Sequence, residues 1–486
     1  MGLRVPRVPG NAVSGYEGTT NLRGNLSPPE AASFVVVEAM IGVFYVVLTF
    51  LDLAAGVLSP CVRAGTVLRG MLKNGLSEAS KKRVVIVGGS SGGLTALDEL
   101  RGDSSLDITL ISDRGYWEFT PGILRCYVRP SHLRAITCPL GAPGARLIVG
   151  RVIAIDGGEG ADASAGCRES PGSITVDMGV EGTHRVEFDA CIMATGSSYA
   201  GAVKPNHERT VDERLATMVR EHARLNAAQS VIVVGAGLVG VELAAEIAAE
   251  YRGAKSVRLV DANAEMLRGA PERAQRLVAR WLSSHGVEAL LGRRVSKIGE
   301  TEVQLEGGAT LTADVVYKCL GSPPNCAPLA PSSPLSLDAR GAALVDETLR
   351  VRGWRNLFAV GDCMTMPSCP EPKSGWLAEQ HAIVAAANVR ALLRRRPLAR
   401  YPDAVAGRGA RSARPVCISL GPHHAVFALN WLVIGGPVGG ELAAAAKWLI
   451  ERTQLLRARG SAVGAAFYRL MEPSMRWASR VVVGGA

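Results

Sequence analysis

The chain has 486 residues, 48% hydrophobic and 20% charged, a composition that fits two or three globular domains with their own cores and excludes wholesale disorder. Its formal net charge of +10 admits nucleic acid, an anionic membrane surface, anionic cofactors or merely solvated lysines and arginines, and charge alone does not separate these. Ten cysteines are scattered along the chain with no CxxC pair and no His/Cys cluster at zinc-ligand spacing, which argues against a disulfide framework or metal site and for free thiols in a reducing compartment.

Residues 1–80 differ from the rest. Met1–Ser33 is rich in Gly, Pro, Asn and Ser, and its start fits a myristoylation signal only at Gly2, because Pro6 stands where Ser or Thr is wanted. Phe34–Leu58 is strongly apolar, but Glu38 and Asp52 leave a charge-free core of about 13 residues, short of the roughly 20 that a spanning helix needs. A membrane span or anchor, an organelle-targeting extension and a helix packed on the body all remain open for it.

A regular α/β alternation begins at Lys81. Arg83–Val87 and Ile108–Ser112 read as buried strands around a helix starting near Gly92. Ser230–Val234 and Ser256–Asp261 repeat the arrangement around a helix near Gly240–Glu250. Each pair of strands is joined by a glycine turn, and this internal repeat is the main organisational signal. β-rich stretches follow at Ile174–Met178, Val303–Glu306 and Val315–Cys319, and Gly- and Ser-rich Asp156–Ser173 reads as a surface loop. Beyond about Arg400, Pro415–Ile434 is apolar with small residues. Glu441–Arg480 then has helical stretches carrying Lys447, Arg452, Arg457, Arg459, Arg469, Arg476 and Arg480, with Trp431, Trp448, Phe467, Tyr468 and Trp477 interleaved. A basic amphipathic surface on a membrane is the reading preferred for this end, and a cap packed on the core or a dimer partner is the alternative.

The second glycine turn is the better formed. Gly235 permits a tight turn, Gly237 lets the backbone approach a pyrophosphate, and Gly240 lets helix and strand pack closely. Leu238 and Val239 open a helix whose free N–H groups and positive dipole end face the phosphates. Asp261, at the end of the next strand, is placed to accept from a ribose 2′-hydroxyl and to repel a 2′-phosphate, which favours NADH while leaving NADPH open. The first turn, Gly88-Gly89-Ser90-Ser91-Gly92-Gly93, has Ser90 at the second glycine position, where a serine fits only if φ stays negative. Its acid is displaced as well, since Ser112 stands at the usual strand end and Asp113 follows it.

Two further segments complete this first site. Phe188 to Gly196 is a short buried strand ending in Ala194-Thr195-Gly196, and Asn356 to Asp362 is another ending in Gly361-Asp362. A carboxylate at such a strand end can hold a ribityl hydroxyl of a flavin, while Gly361 permits close approach. Gly321, just past the strand at 315–319, joins the nucleotide-contacting set.

The order of glycine turn, Ala-Thr-Gly, second glycine turn and Gly-Asp, over roughly residues 82–395, resembles the flavoprotein reductases with two dinucleotide-binding domains. Tyr116-Trp-Glu-Phe-Thr-Pro-Gly-Ile-Leu-Arg125 looks like a segment of the apoptosis-inducing-factor-like branch, which includes the ferroptosis-suppressor quinone reductases, and type II NADH dehydrogenases carry a similar one. Gly240-Val-Glu242-Leu-Ala-Ala-Glu246, Pro372-Lys373, Ala378-Glu-Gln-His381 and Ile418-Ser-Leu-Gly421 fit the same group. The resemblance implies an α/β fold with two Rossmann-like domains: FAD on 81–200 and 321–398, NAD(P)H on an inserted 201–320, and a C-terminal α+β region at 399–486. It further implies hydride transfer from NAD(P)H to the flavin and electrons passed onward, often to a quinone. The disulfide-reductase branch is excluded, because its Cys pairs are absent and Cys363 beside Asp362 has no vicinal partner.

By the same resemblance, Glu242 faces the nicotinamide–flavin junction and Lys373 steadies the negative charge of reduced flavin. Arg125 is a candidate contact to the flavin or its phosphates. His381 is weighed as a proton donor to a quinone, behind the reading as a satisfied structural histidine. His423 and His424 have no interpretation. The leading function is a membrane-associated NAD(P)H:quinone oxidoreductase on an organelle or on the cytoplasmic face of a membrane, with a homodimer left open. A soluble reductase of a protein or of monodehydroascorbate is the second reading, and a redox-sensing interaction protein the third; no motif favours nucleic acid.

Overall fold

The computed structural model describes residues 81–142, 144–157, 171–329, 336–401, 415–429, 432–461 and 464–468. The apolar segment at 34–58, most of the loop at 156–173, Trp431 and everything from Arg469 onward lie outside these residues.

The first glycine turn joins β1 (Lys82–Val87) to α1 (Ser91–Leu100), which returns to β2 (Leu106–Ser112). After β3 (Tyr116–Glu118), β4 (Arg146–Val149) and a three-stranded antiparallel sheet over residues 151–188, the chain comes back as β5 (Ala190–Met193). Helix α2 (Val211–Ala227) leads into the second unit, and its start is set by a capping box: Glu213 N donates to Thr210 Oγ1 at 3.2 Å while Glu213 Oε2 accepts from Thr210 N at 3.3 Å. There β6 (Ser230–Val234), α3 (Leu238–Tyr251) and β7 (Ser256–Val260) form the second βαβ unit, followed by β8 (Val287–Leu290) and β9 (Val315–Lys318). The chain then re-enters the first body through β10 (Leu357–Ala359) and α4 (Gly375–Leu393), the latter capped where Leu377 N donates to Ser374 Oγ at 3.3 Å.

Two parallel sheets result. The first has the order β10-β5-β1-β2-β4 and the second β8-β7-β6-β9. Both are buried on two faces, which is why their strands are near-continuous Val/Ile runs; Val84, Val85 and Ile86 are at most 1% exposed. Strand β10 is paired to β5, so the residues after the second sheet complete the first one. In each sheet the strand order reverses at the strand before a glycine turn, β1 or β6, and that crevice is where open α/β sheets bind nucleotides.

The end of the chain forms an antiparallel sheet, β11 (Pro415–Leu420), β12 (His424–Leu429) and β13 (Leu432–Ile434), then the long helix α5 (Gly436–Ala458). The sheet and helix pack on the body, and this changes the reading of the basic stretch. Lys447 is buried against Glu242, and Arg457, 6% exposed, meets Asp98 at 2.6 Å and Thr95 Oγ1 at 2.7 Å on α1. The Tyr468 hydroxyl donates to Glu379 on α4 at 2.8 Å, and Gln454 reaches the same carboxylate at 2.9 Å. These two cations are pinned inward by carboxylates of the other domains, whereas Arg459 remains exposed. No helix among the described residues is long and apolar enough to cross a membrane.

Candidate functional site

The two glycine turns are built alike. Gly88 has φ +110°, and a Cβ there would lie 2.3 Å from the Ala194 carbonyl oxygen; Gly235 has φ +109° and would meet Cys319 O at 2.6 Å. Each turn is tied to the neighbouring strand ends, with Gly88 N donating to Ile111 O and Gly235 N to Val260 O, both at 2.7 Å. A Cβ on Gly93 would lie 1.7 Å from Gly88 O, and one on Gly240 1.8 Å from Gly235 O, so helix and strand touch through backbone alone.

The second positions show why a serine is tolerated in one turn. Ser90 has φ −102° and ψ −160°, and Gly237 has φ −77° and ψ −173°, extended conformations open to any L-residue. Nothing lies within 4 Å of where a Cβ on Gly237 would be, so the turn presents an open face there. The first intrahelical bonds are Leu94 N to Ser90 O and Val241 N to Gly237 O, which leaves the N–H groups of Ser91, Gly92 and Gly93, and of Leu238, Val239 and Gly240, at the helix mouths. Neither helix carries an acid in its first turn.

The other sequence-marked residues gather around the first turn. Ala194, Thr195 and Gly196 leave β5 beside Gly88; Asn325 ties to them through its N–H to Gly196 O at 2.9 Å and its amide to Thr195 O at 3.1 Å. The buried Thr195 hydroxyl has no nitrogen or oxygen partner in the protein and lies against the Cys363 thiol. Gly89 packs against Ser112 and Leu140, and Gly92 against Val360 and the carbonyl of Ala378 on α4. Gly361, at φ +76°, sits under α4, where a Cβ would meet Ala378 Cβ at 3.0 Å. The Asp362 Oδ2 accepts from Ser197 Oγ at 2.8 Å and from Lys204 Nζ at 3.0 Å. Burial opposes charge on Asp362, but Lys204 and Ser197 outweigh it and hold the carboxyl below its usual range. Neither Lys204 nor Ser197 stands in a motif, and no sequence signal marked them.

Asp113 and Arg125 lie elsewhere than the sequence suggested, while His381 and Lys373 have protein partners of their own beside Gly361 and Asp362. Asp113 is exposed and meets only Arg114, at 3.9 Å, while Ser112 occupies the strand end beside the turn. Arg125 pairs with Glu246 on α3 at 3.1 Å and donates to the Gly421 carbonyl at 3.1 Å, so it fastens three parts of the chain together. His381 accepts from Gly361 N at its Nδ1 (3.3 Å), which puts its proton on Nε2, facing Glu371 at 3.0 Å. Burial lowers its pKa despite Glu371, and Tyr401 packs edge-on at 4.7 Å, so this is a neutral structural histidine. Lys373 donates to the Met364 carbonyl and is close enough to Asp362 to favour its charge.

At the second turn, Asp261 follows β7 and braces the loop: Oδ2 accepts from Ala236 N at 2.6 Å and Oδ1 from Asn263 N at 2.7 Å. Leu238 and Leu320, 41% and 47% exposed, flank the turn, and the space beside Gly321 is open. Glu242 is 7% exposed and turned toward the C-terminal region, where Oε1 accepts from Ser419 N at 2.8 Å and from Lys447 Nζ at 2.9 Å.

Two open turns, each closed by glycines on the protein side and lined by spare N–H donors, fit two pyrophosphates. The carboxylate of Asp362 with Oδ1 unengaged, and the Thr195 hydroxyl whose neighbour is only a thiol, suit the hydroxyl-rich arm of a flavin nucleotide.

Comparison with known proteins agrees with this geometry. The family described as pyridine nucleotide-disulphide oxidoreductase matches residues 82–387. Ferroptosis suppressor protein 1 of Taeniopygia guttata is 27% identical over 67% of this chain and 85% of its own length. The alternative NAD(P)H-ubiquinone oxidoreductase C1, chloroplastic/mitochondrial, of Arabidopsis thaliana is 30% identical over 45% of this chain and 48% of its own length. Among solved structures, the sulfide:quinone oxidoreductase of Aquifex aeolicus shares the fold with a TM-score of 0.61 and 20% identity, covering 79% of this chain and 93% of that one.

Proposed function

We propose an electron path for this chain, which belongs to the pyridine nucleotide-disulphide oxidoreductase family and is an oxidoreductase with FAD and NAD(P)H as its cofactors: NADH delivers electrons through FAD to a quinone at a membrane surface. The observation that carries the reading is the pair of matching glycine turns on two parallel sheets, the first completed by β10 after the second. FAD, when bound, supplies the two-electron chemistry between nicotinamide and acceptor.

The remaining roles belong to the chain's own residues. Gly88 to Gly93 and the mouth of α1 bind the FAD pyrophosphate, and Asp362, held ionised by Lys204, accepts from a ribityl hydroxyl through Oδ1. Gly235 to Gly240 and the mouth of α3 do the same for NADH, with Gly321 leaving room alongside and Asp261 at the ribose. Lys373 supplies positive charge where reduced flavin accumulates negative charge, and Glu242 serves the nicotinamide end.

The Arabidopsis relative's name supports a quinone as acceptor. Exposed Leu432, Ile434, Leu442 and Ile450 on β13 and α5 supply apolar area that supports membrane contact.

The test is stopped-flow bleaching of the bound flavin by NADH and by NADPH, followed by reoxidation with a panel of quinones and other acceptors. Rapid reduction by NADH and reoxidation by a quinone are expected. Purified protein without flavin, or flavin that nicotinamide does not bleach, overturns the proposal. Asp261→Ser removes the carboxylate that repels a 2′-phosphate, so kcat/KM is expected to swing toward NADPH by about tenfold or more. An unchanged NADH/NADPH ratio in steady-state kinetics removes Asp261 from the ribose.

A further inference from the structure

The C-terminal cap meets the helix that follows the second glycine turn through a buried cation. Lys447, on α5, places its ammonium 2.9 Å from Glu242 Oε1, and the same oxygen accepts from Ser419 N of β11 at 2.8 Å. Glu242 lies just past Gly240, in the part of α3 next to the glycine turn. Both partners are largely buried, with side chains 14% and 9% exposed. Three other groups act on the pair: the Cys417 thiol on β11, Glu246 one turn along α3, itself paired with Arg125, and Glu451 one turn along α5 from Lys447. Oε2 of Glu242 makes no hydrogen bond.

A clamp between cap and body does not require this arrangement. The cap is already fastened by Arg457 to Asp98 and Thr95 and by Tyr468 and Gln454 to Glu379. A buried ion pair generally stabilises no more than the apolar side chains that could replace it, because desolvation cancels most of the attraction. What it does provide is a cation that aims the carboxylate and opposes the upward push of burial on it.

We propose that Lys447 is a positioning residue for the nicotinamide site, its ammonium fixing the Glu242 carboxylate in orientation and charge so that the unbonded Oε2 receives the nicotinamide end of the dinucleotide. The proposal rests on the reading of the second turn as the NAD(P)H site. It makes dinucleotide binding depend on a residue of the cap, far along the chain from the turn itself. Burial pushes the Glu242 carboxyl up and Lys447 pulls it back, so removing the cation raises it further. The carboxylate form is the one that binds, so the loss of binding on acidification moves to higher pH without Lys447.

The experiment is equilibrium binding of NAD+ to the flavin-loaded protein by calorimetry from pH 5 to 9, for the parent chain and three variants. Lys447→Gln keeps a hydrogen-bond donor without the charge, and its acid limb is expected to move up by about one to two pH units, with affinity regained at alkaline pH. Lys447→Arg is expected to keep the parent limb. Glu242→Gln is expected to show no limb in this range, and this outcome does not depend on whether Lys447→Gln folds. A Lys447→Gln curve that follows the parent, with only a lower melting temperature, makes the pair a clamp and overturns the proposal. So does a limb that survives in Glu242→Gln or moves in Lys447→Arg. If the parent chain itself binds no NAD+ and its flavin is not bleached by NADH, the functional reading falls and takes this proposal with it; in every other case the two are judged separately.

Discussion

Gly240→Ala is expected to abolish the second nucleotide site together with the fold around it, whereas Gly237→Ala is expected to fold like the parent and bind NADH at least about tenfold more weakly. The contrast follows from where each Cβ would point. At Gly240 it would lie 1.8 Å from the Gly235 carbonyl oxygen and 3.2 Å from Cys319 Cβ, so α3 would have to lift off β6 and β9. Strand β6 lies inside the sheet between β7 and β9, with Val231, Ile232 and Val233 at 0% exposure, and overpacking backbone against backbone leaves no flexible neighbour to yield. Little soluble protein, or protein without a cooperative thermal transition, is the expected result. At Gly237 nothing lies within 4 Å and φ is −77°, so the methyl group meets no protein atom and strains no dihedral. It occupies instead the face across which a pyrophosphate would approach the helix mouth. Melting temperature and flavin content therefore stay at parent values while KM for NADH rises. An unaltered KM in Gly237→Ala shows that the dinucleotide does not lie against this turn. Ser90 already stands in the matching position of the first turn, so Ser90→Gly is not expected to damage the fold.

The second large effect is expected from Arg214→Leu, which is predicted to destabilise the first domain by about 3–5 kcal/mol. Arg214 is the largest fully buried side chain among the described residues. It leaves α2 to meet Glu118 of β3 through Nε at 2.8 Å, donates to the Ala202 carbonyl at 2.9 Å and stands 3.5 Å from Glu208. Truncating it leaves the Glu118 carboxylate, whose side chain is 2% exposed, without its cation. That asymmetry separates breaking a buried pair from replacing it: the Glu118→Leu/Arg214→Leu double variant is expected to recover most of the loss. Chemical denaturation followed by flavin release measures both. Equal destabilisation by the single and double variants would show that the guanidinium acts through the Ala202 carbonyl or through packing, and not through Glu118. Because β3 pairs with residues 137–139, next to the Leu140 that packs against Gly89 of the first turn, flavin affinity is expected to fall in the single variant as well.

These expectations draw on different sources of information. What decided the two cradles is local. A strand buried on both faces must be an unbroken apolar run, a tight strand-to-helix turn needs positive φ at its first residue, and close helix–strand contact needs a residue without Cβ. Each requirement is met by residues within one short stretch, so Ser230–Val234 and Gly235 to Gly240 can be read directly from the chain. The same local logic states the condition on Ser90, negative φ, that the structure meets.

The charged partners could not be read this way. Asp362 and Lys204 are 158 residues apart, Glu118 and Arg214 96, Arg125 and Glu246 121, and Glu242 and Lys447 205. A lysine in a basic stretch looks the same in sequence whether it faces water, a membrane or a buried carboxylate. Composition therefore described the C-terminal end as a basic amphipathic surface, while packing turned Lys447 and Arg457 inward. Asp113, beside the strand end by count, points away because the chain direction changes there, and Arg125 is claimed by Glu246 before any phosphate. The two strand-and-glycine turns were legible in the chain, since glycine stereochemistry and strand burial are short-range constraints. Which charges meet was settled by tertiary packing, because ion pairs are chosen by proximity in space, and in this chain that proximity is created by β10 returning to pair with β5 and by a cap packed on α1, α3 and α4.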